Sequence, residues 1–193
     1  IGDSQIEMGL TSIAKNLDRQ VASEKITQAD SDAALARIAA AADIARLADA
    51  DLVIEAASEH EAVKIDILKA VSAVVSDTTL IASNTSSISI TRLAAATRHP
   101  ENFIGMHFMN PVPVMKLVEL IRGMATSDET FASAEALVEK LGKSAAVSED
   151  YPAFIVNRIL LPMINEAAFA LYEGVGSIES IDEAMRLGAN HRM

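Results

Sequence analysis

Phe103-Ile-Gly-Met-His-Phe-Met-Asn-Pro111, followed by Pro113-Val-Met-Lys-Leu-Val-Glu119, is the stretch from which the rest of the chain can be read. A short apolar run, typical of a buried strand, delivers His107 and then breaks at an Asn-Pro turn. A second short run, Lys116 to Ile121, carries Glu119. Adjacent strands joined by such a turn bring Glu119 up against the His107 ring. A carboxylate on one ring nitrogen fixes the tautomer and leaves the other nitrogen free to accept a proton, as a general base requires. The competing reading is a buried histidine that makes only structural hydrogen bonds.

Outward from this stretch, strand and helix patterns alternate. Ile6, Leu10, Ile13, Leu17 and Val21 recur at helical spacing over Ser4 to Val21, and Thr27 stands as an N-cap, with Asp30 three positions on, for a helix to Ile38. Asp51 to Ala56 reads as a buried strand and Glu59 to Val75 as a helix with Val63, Ile67, Leu68 and Val71 on one face. Thr78 to Ala82 is the next strand, Ile88 to Ala96 a helix, and Phe103 to Met106 a third strand. After Lys116 to Ile121, Ser127 caps a helix that runs to Leu141 and stops at Gly142, before a brief Ser144 to Val147 strand. Phe154 to Tyr172 and Ser177 to Leu187 are purely helical. The alternation predicts an α/β domain with a mostly parallel sheet over residues 1–148. Residues 149–193 then begin a helical domain, with the boundary at Glu149-Asp-Tyr-Pro152.

The composition narrows the function. With 193 residues, 50% of them hydrophobic, the chain can bury a substantial core. A net charge of −11 without a basic cluster argues against a nucleic-acid partner. The absence of cysteine excludes disulfides, thiolate catalysis and thiolate zinc sites. His60, His99, His107 and His191 lie far apart in sequence, so no metal is expected. The run Phe154 to Ile164 is too short to span a bilayer, and Ile1-Gly-Asp-Ser4 is not a secretory leader. A soluble, cytoplasmic protein with no membrane partner is expected. The start at Ile1 and the stop at Met193, just after a helix, make both ends look cut.

In open parallel sheets ligands bind beyond the carboxyl ends of the strands. The first strand delivers Glu55 to His60 there, the second Asn84, Thr85, Ser86 and Ser87, and the third His107 and Asn110. Each alone has a bland reading: Asn84 or Ser86 as a turn former, Ser87 as the cap of the next helix, Asn157 and Arg158 as a satisfied interior pair. Three strand ends meeting at one crevice carry more weight than any of them.

Asp51-Leu-Val-Ile-Glu-Ala-Ala57, Ser83-Asn-Thr-Ser-Ser87, the Gly105 to Glu119 segment and Phe154-Ile-Val-Asn-Arg158 together resemble the signature blocks of the 3-hydroxyacyl-CoA dehydrogenases. The bacterial 3-hydroxybutyryl-CoA dehydrogenases are the nearest branch, to which Asn16-Leu-Asp-Arg-Gln-Val21 is also similar. The resemblance implies a Rossmann-like NAD-binding domain followed by a helical substrate and dimerisation domain. It implies NAD as cofactor, a 3-hydroxyacyl-CoA as substrate and a homodimer. His107 would be the general base, Glu119 its orienting carboxylate, and Ser86 and Asn157 would hydrogen-bond the reacting oxygen and the acyl-thioester end. Ala56, Glu59, Lys64, Asn84, Ser86 and Asn110 would line the NAD site. The cofactor would take the hydride, leaving proton transfer and positioning to the protein.

The chain departs from the family pattern in four places, the smallest being Arg192, where proline is common. The opening strand, Gly-rich turn, helix and second strand, a unit of roughly 30 residues, are not in this sequence, and the helical domain stops early. This piece alone is therefore expected to be silent. Ala153 stands where the family usually has glycine, which a methyl group tolerates unless the backbone needs positive φ. Two alternatives remain: a β-hydroxyacid dehydrogenase of another family, and a non-enzymatic, crystallin-like relative.

Overall fold

The computed structural model describes residues 2–192. Its contacts divide the chain after Asp49. In the first unit, helix α1 (Asp3–Ala22) is followed by α2 (Gln28–Ala36) and a short 3-10 turn at Ile44–Leu47. Thr27 caps α2 as expected: its hydroxyl accepts the Asp30 N–H, and the Asp30 carboxylate accepts the Thr27 N–H in return.

The second unit, from Ala50 onward, is a five-stranded sheet in the order β1-β2-β3-β4-β5. The strands are β1 (Leu52–Glu55), β2 (Leu80–Ser83), β3 (Phe103–Phe108), β4 (Leu117–Arg122) and β5 (Ser144–Glu149). Every neighbouring pair is parallel except β3 and β4. The crossovers are α3 (Glu61–Val74), α4 (Ile90–Ala94) and α5 (Asp128–Lys140), and two further helices follow, α6 (Val156–Tyr172) and α7 (Ile178–Gly188). This is the predicted Rossmann-like α/β architecture with a helical segment after it.

Alternation along β3 and β4 sorts the two faces of the sheet. Ile104, Met106, Val118 and Leu120 join Ala134 and Val138 of α5 in one buried cluster. The opposite face takes Gly105, His107, Glu119 and Ile121. At Gly105 an added Cβ would lie 2.8 Å from Ile90 Cδ1 and 2.9 Å from Ile121 Cβ. The bare backbone there lets α4 settle directly on the strand that carries His107.

Several expected boundaries move, and four of the shifts have a clear local reason. α3 starts at Glu61 instead of Glu59, because Ser58 to His60 form a turn closed by the His60 N–H on the Ser58 carbonyl. β3 continues to Phe108, so His107 sits inside the strand rather than beyond it. The cap of α4 is Ser89, not Ser87: the Ser89 hydroxyl accepts the Arg92 N–H, and Ser87 is drawn to Glu59 instead. α6 begins at Val156 rather than Phe154, because Ala153 (φ 67°) and Phe154 (φ 53°) are both left-handed. The backbone does need positive φ where the methyl group of Ala153 stands.

Candidate active site

The antiparallel register places Glu119 directly opposite His107. His107 Nδ1 lies 2.7 Å from Glu119 Oε2, and both residues are buried, at 5% and 0% exposure. The carboxylate has a second engagement. Its Oε1 accepts the Ile155 N–H at 3.0 Å and the Val156 N–H at 2.9 Å, at the start of α6. Those donors belong to the set that a helix N-terminus leaves without partners, and they favour a negative charge. Both oxygens of Glu119 are thus held, and the imidazole is aimed by a carboxylate that cannot turn. The Phe154 ring packs against the imidazole with centroids 5.8 Å apart. Nδ1 being engaged, Nε2 is the nitrogen left for proton transfer. Asn157, partly buried, follows in the first turn of α6.

A second group gathers at the carboxyl ends of β1 and β2. Glu59 Oε1 accepts from the Thr85 hydroxyl, from the Ser86 N–H at 2.9 Å and from the Ser87 hydroxyl at 3.2 Å. Its Oε2 lies 3.4 Å from Lys64 Nζ. Burial works to raise the Glu59 pKa, but the bonds from Thr85, Ser86 and Ser87 and the Lys64 charge together hold it below the usual carboxylate value. Lys64 is only 1% exposed, and its ammonium is gripped by both oxygens of Glu55.

Asn84 links the two groups: its Oδ1 accepts the Phe108 N–H at 2.8 Å, one residue past the histidine. Ser86 is partly buried, and its hydroxyl makes no protein hydrogen bond among the described residues. Ala56 is exposed just beyond β1, and Asn110 is exposed in the turn after β3. His107, Glu119 and the start of α6 therefore form one cluster, and Glu59, Lys64 and Ser86 another. The outlying Ala56 and Asn110 make no side-chain bond to either.

Two residues of weight were given no role from the sequence. Glu55 ends an apolar strand and is 5% exposed. Asp150 accepts the Ser89 hydroxyl and the Ile90 and Thr91 N–H groups, stapling the segment before α6 to α4. An acid in an apolar strand with a lysine nine positions on was a visible signal for Glu55. Nothing local marked Asp150, whose partners lie some sixty residues away.

The geometry defines a mostly parallel α/β sheet with a buried histidine–carboxylate pair on adjacent strands, and comparison with known proteins is more specific. Residues 1–151 match the model for the NAD binding domain of 3-hydroxyacyl-CoA dehydrogenase, and residues 154–193 match its C-terminal domain. The chain belongs to the 3-hydroxyacyl-CoA dehydrogenase family. It is 58% identical, over all 193 residues, to a 3-hydroxybutyryl-CoA dehydrogenase of Bradyrhizobium diazoefficiens, covering 66% of that relative. It is 49% identical over 187 residues to a probable 3-hydroxybutyryl-CoA dehydrogenase of Bacillus subtilis, with 97% of this chain and 65% of that one covered. The crystal structure of an (S)-3-hydroxybutyryl-CoA dehydrogenase from Ralstonia eutropha superposes with a TM-score of 0.96 at 53% identity, over 99% of this chain and 68% of that one. The chain thus spans just under two thirds of the length of these two curated relatives.

Proposed function

We propose that the full-length protein carrying this chain interconverts a 3-hydroxyacyl-CoA and the corresponding 3-oxoacyl-CoA, with NAD as its redox partner. The observation that carries this reading is the buried His107–Glu119 pair, 2.7 Å apart. When bound, NAD supplies the acceptor for the hydride that leaves C3. Nε2 of His107 takes the proton of the 3-hydroxyl as the C3–H bond breaks, and the C3–O bond becomes a carbonyl. The Glu119 carboxylate stabilises the imidazolium formed in that step, and its grip by the α6 N–H groups keeps the ring from swinging away. In the reverse direction the same nitrogen returns the proton. Ser86, with its hydroxyl uncommitted, and Asn157, in the first turn of α6, position the reacting oxygen and the thioester end.

The residues at the strand ends suit a dinucleotide. The Glu59 side chain is 41% exposed, and its second oxygen meets only Lys64, so it retains acceptor capacity for ribose hydroxyls. The small side chain of Ala56 leaves the end of β1 open to a flat ring, and Asn84 and Asn110 flank the third strand end. We further assign the protein to the cytoplasm and to fatty-acid or butanoate metabolism. A homodimer is supported by the apolar residues that α6 and α7 expose, among them Ile159, Ile164, Phe169 and Leu187. No helix among the described residues is long and apolar enough to cross a membrane.

The test is NADH consumption by the full-length enzyme with acetoacetyl-CoA, run beside free acetoacetate and beside NADPH. Rapid turnover of the thioester with NADH, and little with the other two, is expected. Equal rates with and without the CoA moiety would defeat the substrate assignment.

A further inference from the structure

Glu55 is the most heavily engaged carboxylate in the sheet unit that the chemistry above leaves unused. Three donors make four hydrogen bonds to it: Lys64 Nζ at 2.9 and 3.0 Å to its two oxygens, the Ser83 hydroxyl at 2.6 Å and the Ala57 N–H at 2.6 Å. Its partner Lys64 is buried on α3 and reaches Glu59 Oε2 as well. The three charged groups form a chain from the interior to the crevice: Glu55, then Lys64, then Glu59. At its outer end, Glu59 holds Thr85, Ser86 and Ser87 through its other oxygen.

Two carboxylates share one ammonium, so one negative charge is left over. The bidentate contacts commit Lys64 to Glu55, and the excess charge therefore rests on Glu59, the outer and more exposed member. Because Lys64 is satisfied from beneath, it steadies Glu59 Oε2 at 3.4 Å without pulling Oε1 off the Ser86 N–H. Without the Glu55 charge, the buried ammonium would have to take Glu59 as its main counter-ion. The Glu59 side chain would then rotate inward and release the segment that carries Ser86.

We propose that Glu55 is a positioning residue that acts through Lys64, setting the charge and aim of Glu59 and thereby the placement of Ser86 at the cofactor crevice. Lys64 then serves the cofactor indirectly, by steadying Glu59, because its three protons already face Glu55 and Glu59. This inference rests on the dehydrogenase reading given above for the cofactor, but not for the ion-pair chain itself.

The experiment compares wild-type full-length enzyme with Glu55→Gln and Ser83→Ala. It measures NADH affinity by fluorescence titration, kcat and KM, thermal unfolding, and acylation of the Lys64 amine by peptide mass spectrometry. Glu55→Gln should weaken NADH binding about tenfold or more, as expected for a small displacement of binding groups, and should raise Lys64 acylation at temperatures where the protein is folded. Ser83→Ala removes one hydrogen bond and no charge, so it carries the same test if the first variant does not fold, with a loss of about fivefold. An unfolding temperature that falls while NADH affinity stays within twofold would make Glu55 a purely structural anchor and overturn the proposal. Unchanged Lys64 acylation would overturn it too. Wild type that binds no NADH at all would instead defeat the cofactor reading, while the acylation measurement would still report on the ion-pair chain.

Discussion

Glu119 faces His107 across the β3–β4 ladder and holds it at 2.7 Å, while its other oxygen caps the start of α6. One carboxylate therefore joins His107 to the helix that carries Asn157. Glu119→Gln keeps the shape but removes the charge that supports the imidazolium. The expected loss is about 10²–10⁴-fold in kcat, with KM for the thioester changed far less. Steady-state kinetics on the full-length enzyme check this, and a loss confined to KM would speak against it.

Ala153, with φ at 67°, occupies backbone space that favours glycine. Ala153→Gly should stabilise the protein by about 1 kcal/mol, the relief of left-handed strain less the added chain entropy. Thermal unfolding would rise by a few degrees, and a fall would show that the methyl group contributes packing that outweighs the strain.

Asp150 fastens the segment before α6 onto α4. Burial works to raise its pKa, but the Thr91 N–H and hydroxyl, the Ser89 hydroxyl and the Ile90 N–H together hold it below the usual value. A depressed carboxylate contributes its full stability at neutral pH, above its unfolded pKa of about 3.9. That contribution is lost as pH falls through the lower folded value. Asp150→Ala should cost about 1–2 kcal/mol at pH 7, as for other lost caps, and the difference from wild type should shrink below about pH 4. Urea unfolding at both pH values measures this, and a gap that widens in acid would contradict it.

Gly105 lies beneath Ile90 of α4 and opposite Ile121 of β4, with no room between them for a Cβ. Gly105→Ala should destabilise the fold by about 1–3 kcal/mol through overpacking. Since Gly105 is two residues from His107 on the same face, the variant should also lose turnover through displacement of the ring. A double variant, Gly105→Ala with Ile90→Val, should recover part of both.

Much of this molecule was legible in the sequence because its signals are local. The apolar runs of β1 to β4, the Thr27 and Ser127 caps and the glycine after α5 each act within a few residues, and each lies close to where it was expected. The His107–Glu119 pairing was legible too, because the two apolar runs that carry them follow one another in the chain across the Asn110-Pro111 break. What escaped depends on distant partners. Ser87 looked like a cap until Glu59, twenty-eight residues before it, took its hydroxyl. Lys64 was implied to line the NAD site, and nothing in its own helix revealed that Glu55 would also bury its charge. A left-handed backbone was foreseen only at Ala153 and only as a condition, and not at all at Phe154, since the demand for positive φ arises where Asp150 and Glu119 pin the chain on either side.

The general base is the centre of this account, and one substitution addresses it. His107→Gln and His99→Gln should be compared in the full-length enzyme by NADH oxidation with acetoacetyl-CoA. His99 sits before β3 and pairs with Asp77 and Glu101 instead. Loss of activity by about 10²-fold or more in His107→Gln, with His99→Gln near wild type, is the expected result. Equal activity in the two variants would contradict it.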